Sequence, residues 1–136
     1  MNHAAGALTF LWLGMVLAIS FLEAPLKFRA PDVTIPIGLG IGRLVFRALN
    51  LAEAALGVAV LVLAIGGGSG AVLGFATGAL VVLLAQVALI RPTLNRRSDR
   101  VLAGEDLPRS PAHFCYVGAE GVKVLVLLGL GISALV

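Results

Sequence analysis

Side chains capable of acid–base or ionic chemistry interrupt long apolar runs: Glu23, Arg43, Arg47, Asn50, Glu53, His113, Tyr116, Glu120 and Lys123. Ionisable groups at bilayer depth are costly, so they face a protein interior, find partners and mark proton, ion or polar-solute sites. His113, Tyr116, Glu120 and Lys123 follow i, i+3, i+7, i+10 spacing and share one helical face. Arg43, Arg47 and Asn50 fall on one stripe with Glu53 on its edge, and Thr9, Trp12, Ser20 and Glu23 cluster in the same way. Depth counted at about 1.5 Å per residue places Arg47 and Glu120 roughly 8–9 Å inside their helices, and Glu53 and Lys123 roughly 14–17 Å. Glu23 falls level with Arg43. Opposite signs at three matching levels predict a ladder of buried pairs, Glu23–Arg43, Arg47–Glu120 and Glu53–Lys123, joining the first, second and fourth helices.

The elements that position these groups follow from composition. The chain of 136 residues is 60% hydrophobic and only 12% charged, half the share a soluble domain needs to cover its surface. No Asp, Glu, Lys or Arg occurs before Glu23, between Ala54 and Ile90, or after Lys123. As one helix Ala54–Ile90 would run roughly 55 Å, against a hydrocarbon core of about 30 Å, so it must fold as two with a turn at the glycines 66–70. Four spans follow, Ala4–Leu22, Gly42–Ile65, Ala71–Ile90 and Phe114–Val136. Their continuous apolarity excludes barrel strands, which alternate. The predicted fold is all-α, a polytopic four-helix transmembrane bundle in one domain. Met1-Asn2-His3 lacks a basic n-region and no A-x-A site follows the first span, which reads as a retained helix rather than a signal peptide.

Basic residues set the expected orientation. Lys27 and Arg29 lie in the loop 24–41, and Arg91, Arg96, Arg97, Arg100 and Arg109 in the loop 91–111. The positive-inside rule puts both loops in the cytoplasm and both termini on the non-cytoplasmic side, as expected of a multi-pass protein of the bacterial cytoplasmic membrane. Lipid phosphates account for the formal net charge of +3, so the expected partners are the bilayer and anionic lipid headgroups and not nucleic acid. Pro25, Pro31 and Pro36 predict a stiff, irregular first loop. Ser69 and Ser110 stand at N-cap positions, and Arg91-Pro92 either ends or kinks the third helix.

Two glycine patterns carry alternatives. Gly70, Gly74 and Gly78 form a small-xxx-small run that either packs another helix of the bundle or joins a homodimer or larger membrane complex. Gly40 and Gly42, followed by Arg43 and Arg47, either hold an anion such as a lipid phosphate at a helix N-terminus or form a flexible entry to the second helix. Cys115 is the single cysteine, and His3 and His113 fall on opposite sides of the bilayer, so no metal site is expected. No Ser/His/Asp set or free carboxylate pair points to catalysis, no cofactor is expected, and an enzyme is the less favoured class.

Gly14, the Pro25-to-Phe28 exit, the Gly42-to-Phe46 opening, Arg91-Pro92 with Asn95, and His113 together resemble the uncharacterised four-helix membrane family that includes eukaryotic transmembrane protein 205. The resemblance implies the fold and no chemistry. The function expected from the residues is a small transport-like or accessory membrane protein with a cytoplasm-facing polar cavity, Glu53 and Glu120 being its protonatable groups. The alternatives are a structural or assembly subunit, whose ladder only orients helices, and a porphyrin- or quinone-linked oxidoreductase.

Overall fold

The computed structural model describes residues 2–67, 69–104 and 111–136, the last segment without the side chains of 111–113; among these residues it is all-helical, with no strand. Four helices are each long and apolar enough to cross a membrane: α1 (His3–Arg29), α2 (Ile35–Gly67), α3 (Gly70–Leu102) and α4 (Pro111–Leu135). Each packs on its neighbours in chain order and α1 closes the ring against α4. Outward-facing Leu11, Leu44, Leu51, Leu84, Leu89 and Leu125 are exposed on all four helices, a surface suited to acyl chains and not to water.

Three helices are longer than the composition suggested. The predicted irregular loop 24–41 is mostly helix: α1 runs on to Arg29 and α2 begins at Ile35, where the Thr34 hydroxyl accepts the Ile37 N–H (3.3 Å). Only 30–34 are non-helical, and Asp32 there takes φ 67°, a left-handed conformation that Asp tolerates better than most residues. Pro36 does no harm in the first turn of α2, where backbone N–H groups have no intrahelical acceptor. α3 passes through Arg91-Pro92 to Leu102 and stops at Gly104, which adopts φ +99° and donates to the Val101 carbonyl (3.0 Å). At 33 residues, α2 and α3 are each about 50 Å long and outreach the hydrocarbon at the end that carries the basic residues.

The two prolines in helix interiors, beyond the first turn, are each preceded by a π-helical segment. Leu17–Glu23 precedes Pro25, and Gln86–Ile90 precedes Pro92. A proline in a regular α-helix clashes with the carbonyl four residues back, which here belongs to Phe21 and Ala88, inside the widened turns. The i→i+5 turn relieves that contact, so the helix continues instead of breaking.

The bundle is layered along its axis. At the end away from the basic residues, Asn2 ties three helices together: its amide donates to the Leu63 carbonyl (3.1 Å), its side-chain oxygen caps Ala5 N–H (3.1 Å), and its backbone N–H reaches the Ala134 carbonyl (2.8 Å). Ser69 caps α3 by accepting Val72 N–H (3.3 Å). Next comes a dry core that includes Val60, Ala64, Val72, Ala76, Leu127 and Leu130. Polar side chains from all four helices then meet in mid-bundle, and a cavity opens beyond them toward the basic end.

Close helix contact within the bundle does not use the predicted glycine run. A Cβ on Gly70 or Gly74 would meet nothing within 4 Å, and one on Gly78 only Val126 at 3.8 Å. Tight positions include Gly57, where a Cβ would sit 2.4 Å from Leu80 Cδ2 and 3.1 Å from the buried Trp12 ring, and Gly129 and Gly131, which take the rings of Phe75 and Phe10. The α2 face toward the core therefore needs glycine at 57. Gly57→Val should lower stability by about 1–3 kcal/mol through overpacking, whereas Gly74→Ala should change it by no more than about 0.5 kcal/mol; thermal melts of the detergent-solubilised protein check both.

Candidate functional site

Lys123 is fully buried in mid-bundle, and its ammonium has three N–H groups to place. They go to Glu53 Oε1 (2.6 Å), Glu120 Oε1 (2.6 Å) and Gln86 Oε1 (2.7 Å). The Gln86 amide in turn donates to Glu120 Oε1 (2.8 Å), Trp12 Nε1 donates to Glu53 Oε1 (2.9 Å), and the Ser20 hydroxyl donates to Glu120 Oε2. Trp12 and Ser20 come from α1, Glu53 from α2, Gln86 from α3, and Glu120 and Lys123 from α4. Each helix supplies at least one member, and the network fixes their relative register. Such charge-assisted bonds are strong where water is excluded. Two carboxyls face one ammonium, so full ionisation would leave one net negative charge, and Glu53 Oε2 is buried without a hydrogen-bond partner.

One rung of the predicted ladder forms as expected, Glu53–Lys123. The other two do not. Arg47 is exposed and makes no ion pair among the described residues, and its expected partner Glu120 is held instead by Lys123, Gln86 and Ser20. The reason is the wheel. The buried seam of α2 runs Leu49, Glu53, Gly57, Val60, Ala64, and Arg47 lies about 120° from Glu53. Glu23 meets Lys27 one turn along its own helix (3.8 Å), and Arg43 pairs with Asp99 on the extension of α3. That extension was expected as loop, so Asp99 had no predicted place.

Asn50 is half-buried with its side-chain oxygen unpartnered, and Tyr116 is buried with a free hydroxyl. Tyr116 packs edge-on against Phe46 (5.6 Å between centroids). The side chain of His113 lies outside the described residues, as do Arg109 and Ser110. Gly40 and Gly42 do not open a helix: they are the sixth and eighth residues of α2, beyond the first four free N–H groups, so no N-terminal anion site forms there. Gly38 and Gly42 instead receive the end of α1, the Phe28 ring on the first and the Lys27 ammonium on the second, where a Cβ would meet Nζ at 2.8 Å.

The cavity, of about 440 Å³, lies between the network and the basic end. Ser20 and Glu120 join it to the network; Lys27, Arg43 and Arg91 bring positive charge to its wall, and Phe28 and Phe46 apolar surface. The volume falls within the range of small-molecule sites. Among the described residues, no three His, Cys, Asp or Glu side chains gather as metal ligands.

Gln86 and Arg91 were not anticipated as a pair. Five residues apart, they would diverge by about 140° on a regular helix. The π segment Gln86–Ile90 brings residues five apart toward one side, so Gln86 enters the network while Arg91 lines the cavity. The available signal was Gln86 itself, an amide in a span without charge, about 7.5 Å from the basic boundary at Arg91. Compared with protein-family models, curated proteins and solved structures, the chain matches none.

Replacing Lys123 leaves two buried carboxyls without their counter-charge. Lys123→Met should cost about 3–5 kcal/mol of stability, and adding Glu53→Gln should recover at least half of the loss. Chemical or thermal unfolding in a fixed detergent at neutral pH measures both.

Proposed function

We propose that this is a small integral membrane protein, transport-like or accessory, that works through the cavity at its basic end, with Glu53 and Glu120 as proton-carrying groups behind it. The observation that carries the reading is the joint between cavity and network: Glu120 and Ser20 line the one and belong to the other. A proton on one of the two carboxyls would cancel the excess negative charge around Lys123, and exchange of that proton with the cavity needs no passage through the dry core. The cavity then faces the cytoplasm and both termini the opposite side, in a bacterial cytoplasmic membrane, because the exposed Arg29, Arg47 and Arg96 suit anionic headgroups. Long arginine stems let such side chains reach the interface from a lipid-facing position. The motif outline resembles that of the family of transmembrane protein 205, a resemblance that adds no chemistry to this reading.

Beyond the network the bundle is closed by Val60, Leu127 and Leu130, all fully buried. Movement of a solute across the bilayer would therefore require the helices to part, or a homodimer or larger complex to supply the far half of a path. A second reading, a structural or assembly subunit, is favoured by the complete use of the Lys123 donors and by the contribution of every helix to one network.

Proteoliposomes loaded with a pH-sensitive dye separate the two. Under an imposed membrane potential, proton flux should be measurable above empty vesicles and should fall at least about tenfold in Glu53→Gln and in Glu120→Gln, with melting curves showing both variants folded. Flux equal to that of empty vesicles, or unchanged by either substitution, overturns the transport-like reading in favour of the structural one.

A further inference from the structure

The cavity also holds one cation, Arg91, without a carboxylate partner among the described residues. Arg43 has its carboxylate in Asp99, but Arg91 makes no ion pair among the described residues. Its guanidinium lies over two rings, 4.8 Å from the centroid of Phe46 and 4.4 Å from that of Tyr116, and its Nε and Nη2 are buried without a hydrogen-bond partner. These two N–H groups point along one edge of the guanidinium, as the parallel fork that matches a carboxylate or phosphate. The Tyr116 hydroxyl beside them is unpartnered in a side chain only 6% exposed. From α1, Lys27 reaches the same Phe46 ring (5.8 Å); its nearest carboxylate oxygen, on Glu23, stands at 3.8 Å, beyond hydrogen-bond distance. Two cations from two helices thus flank one ring, and both line the cavity.

Arg91 as a whole is half-buried, but two of its guanidinium nitrogens are removed from water with neither acceptor nor counter-charge, which is costly, and ring faces offset only part of that. Glu120, the carboxylate in the same cavity, lies beyond ion-pair distance of Arg91 and already accepts from Ser20, Gln86 and Lys123. What the site lacks is an anion. It also has apolar wall, in Phe21, Phe28 and Leu94, which a bare inorganic ion would leave uncovered.

The geometry points to a binding site for an amphiphilic oxyanion: a carboxylate or phosphate head between Arg91, Lys27 and the Tyr116 hydroxyl, with an apolar body along Phe21, Phe28 and Leu94. Nε and Nη2 are now shielded from solvent, so the head is received by a rotation of the Arg91 side chain that turns this edge into the cavity. The inference rests on the proposed role of the cavity and names the class of molecule it takes.

Binding is measured by equilibrium dialysis of radiolabelled decanoate and decanoyl lysophosphatidate against the full chain in phosphatidylcholine nanodiscs, with empty nanodiscs subtracted. Inorganic phosphate and decyltrimethylammonium serve as head-only and opposite-charge probes. Saturable binding of either amphiphilic anion is expected, weakened at least about tenfold in Arg91→Gln and less in Tyr116→Phe. The tighter of the two tells a free carboxylate from a lipid phosphate. Melting curves establish that the variants are folded, and Arg91→Lys, which keeps the charge and loses the fork, should bind with intermediate affinity. Saturable binding of neither anion overturns the proposal, as do equal binding of decyltrimethylammonium, equal binding of phosphate alone, or unchanged affinity in folded Arg91→Gln and Lys27→Gln. Glu53→Gln should leave anion binding intact: retained binding with flux unchanged by the substitution overturns the transport-like reading alone, and lost flux without saturable anion binding in the unsubstituted protein overturns this inference alone.

Discussion

An ammonium group buried among hydrocarbon must be given acceptors for all its protons, and Lys123 obtains them from three helices at once. Glu120 is supplied by its own helix, Glu53 comes across from α2, and Gln86 from α3. Trp12 and Ser20 then bring α1 to the two carboxylates. Most other polar features of the bundle follow from this arrangement. Gly57 is bare where the Leu80 side chain and the Trp12 ring, which reaches Glu53, both close against it. The far half is dry because fully buried apolar side chains such as Val60, Leu127 and Leu130 fill it. The cavity on the near side lies beside the wide turns of α1 and α3: Ser20 and Phe21 of the first, and Arg91, which follows the second, line it.

Fold and span number were legible because they rest on charge gaps, and charge gaps need no geometry: the run from Ala54 to Ile90 can only be two crossings. The Glu53–Lys123 pair was legible for a related reason, since both residues sit deep in regular helix where counting from the boundary gives depth and the wheel gives direction. The other two rungs failed where one of those conditions failed. Arg47 has the right depth but the wrong azimuth, and only the buried seam from Leu49 to Ala64 reveals it. Arg43 and Glu23 lie near expected boundaries that turned out to be helix, so their partners, Asp99 and Lys27, belonged to segments assigned to loops.

The π segments explain why α3 was the hardest helix to read. A sequence shows Pro92 and suggests an end or a kink, but it does not show that the preceding turn widens to admit the ring. Once widened, that turn shifts the register of everything after it. Gln86 and Arg91, which regular periodicity sets apart, then serve adjacent layers of the same interior. The glycine run at 70–78 shows the opposite case for packing within the bundle: its spacing is regular, yet no neighbour in the chain lies against Gly70 or Gly74, while an isolated glycine at 57 sits at a tight crossing.

Because the network takes one or more members from every helix, chain order matters during synthesis. α2 leaves the ribosome with Glu53 long before Lys123 has been translated, so its carboxyl enters the bilayer alone, at a cost of roughly 2.5–3.5 kcal/mol for an acidic residue at mid-helix. The strongly apolar remainder of α2 must carry it in. α4 arrives last and brings both signs one turn apart, Glu120 and Lys123, already neutralising each other as they partition. The final crossing is thus the one that delivers the counter-ion, and the bundle becomes electrically complete only when its C-terminal helix docks.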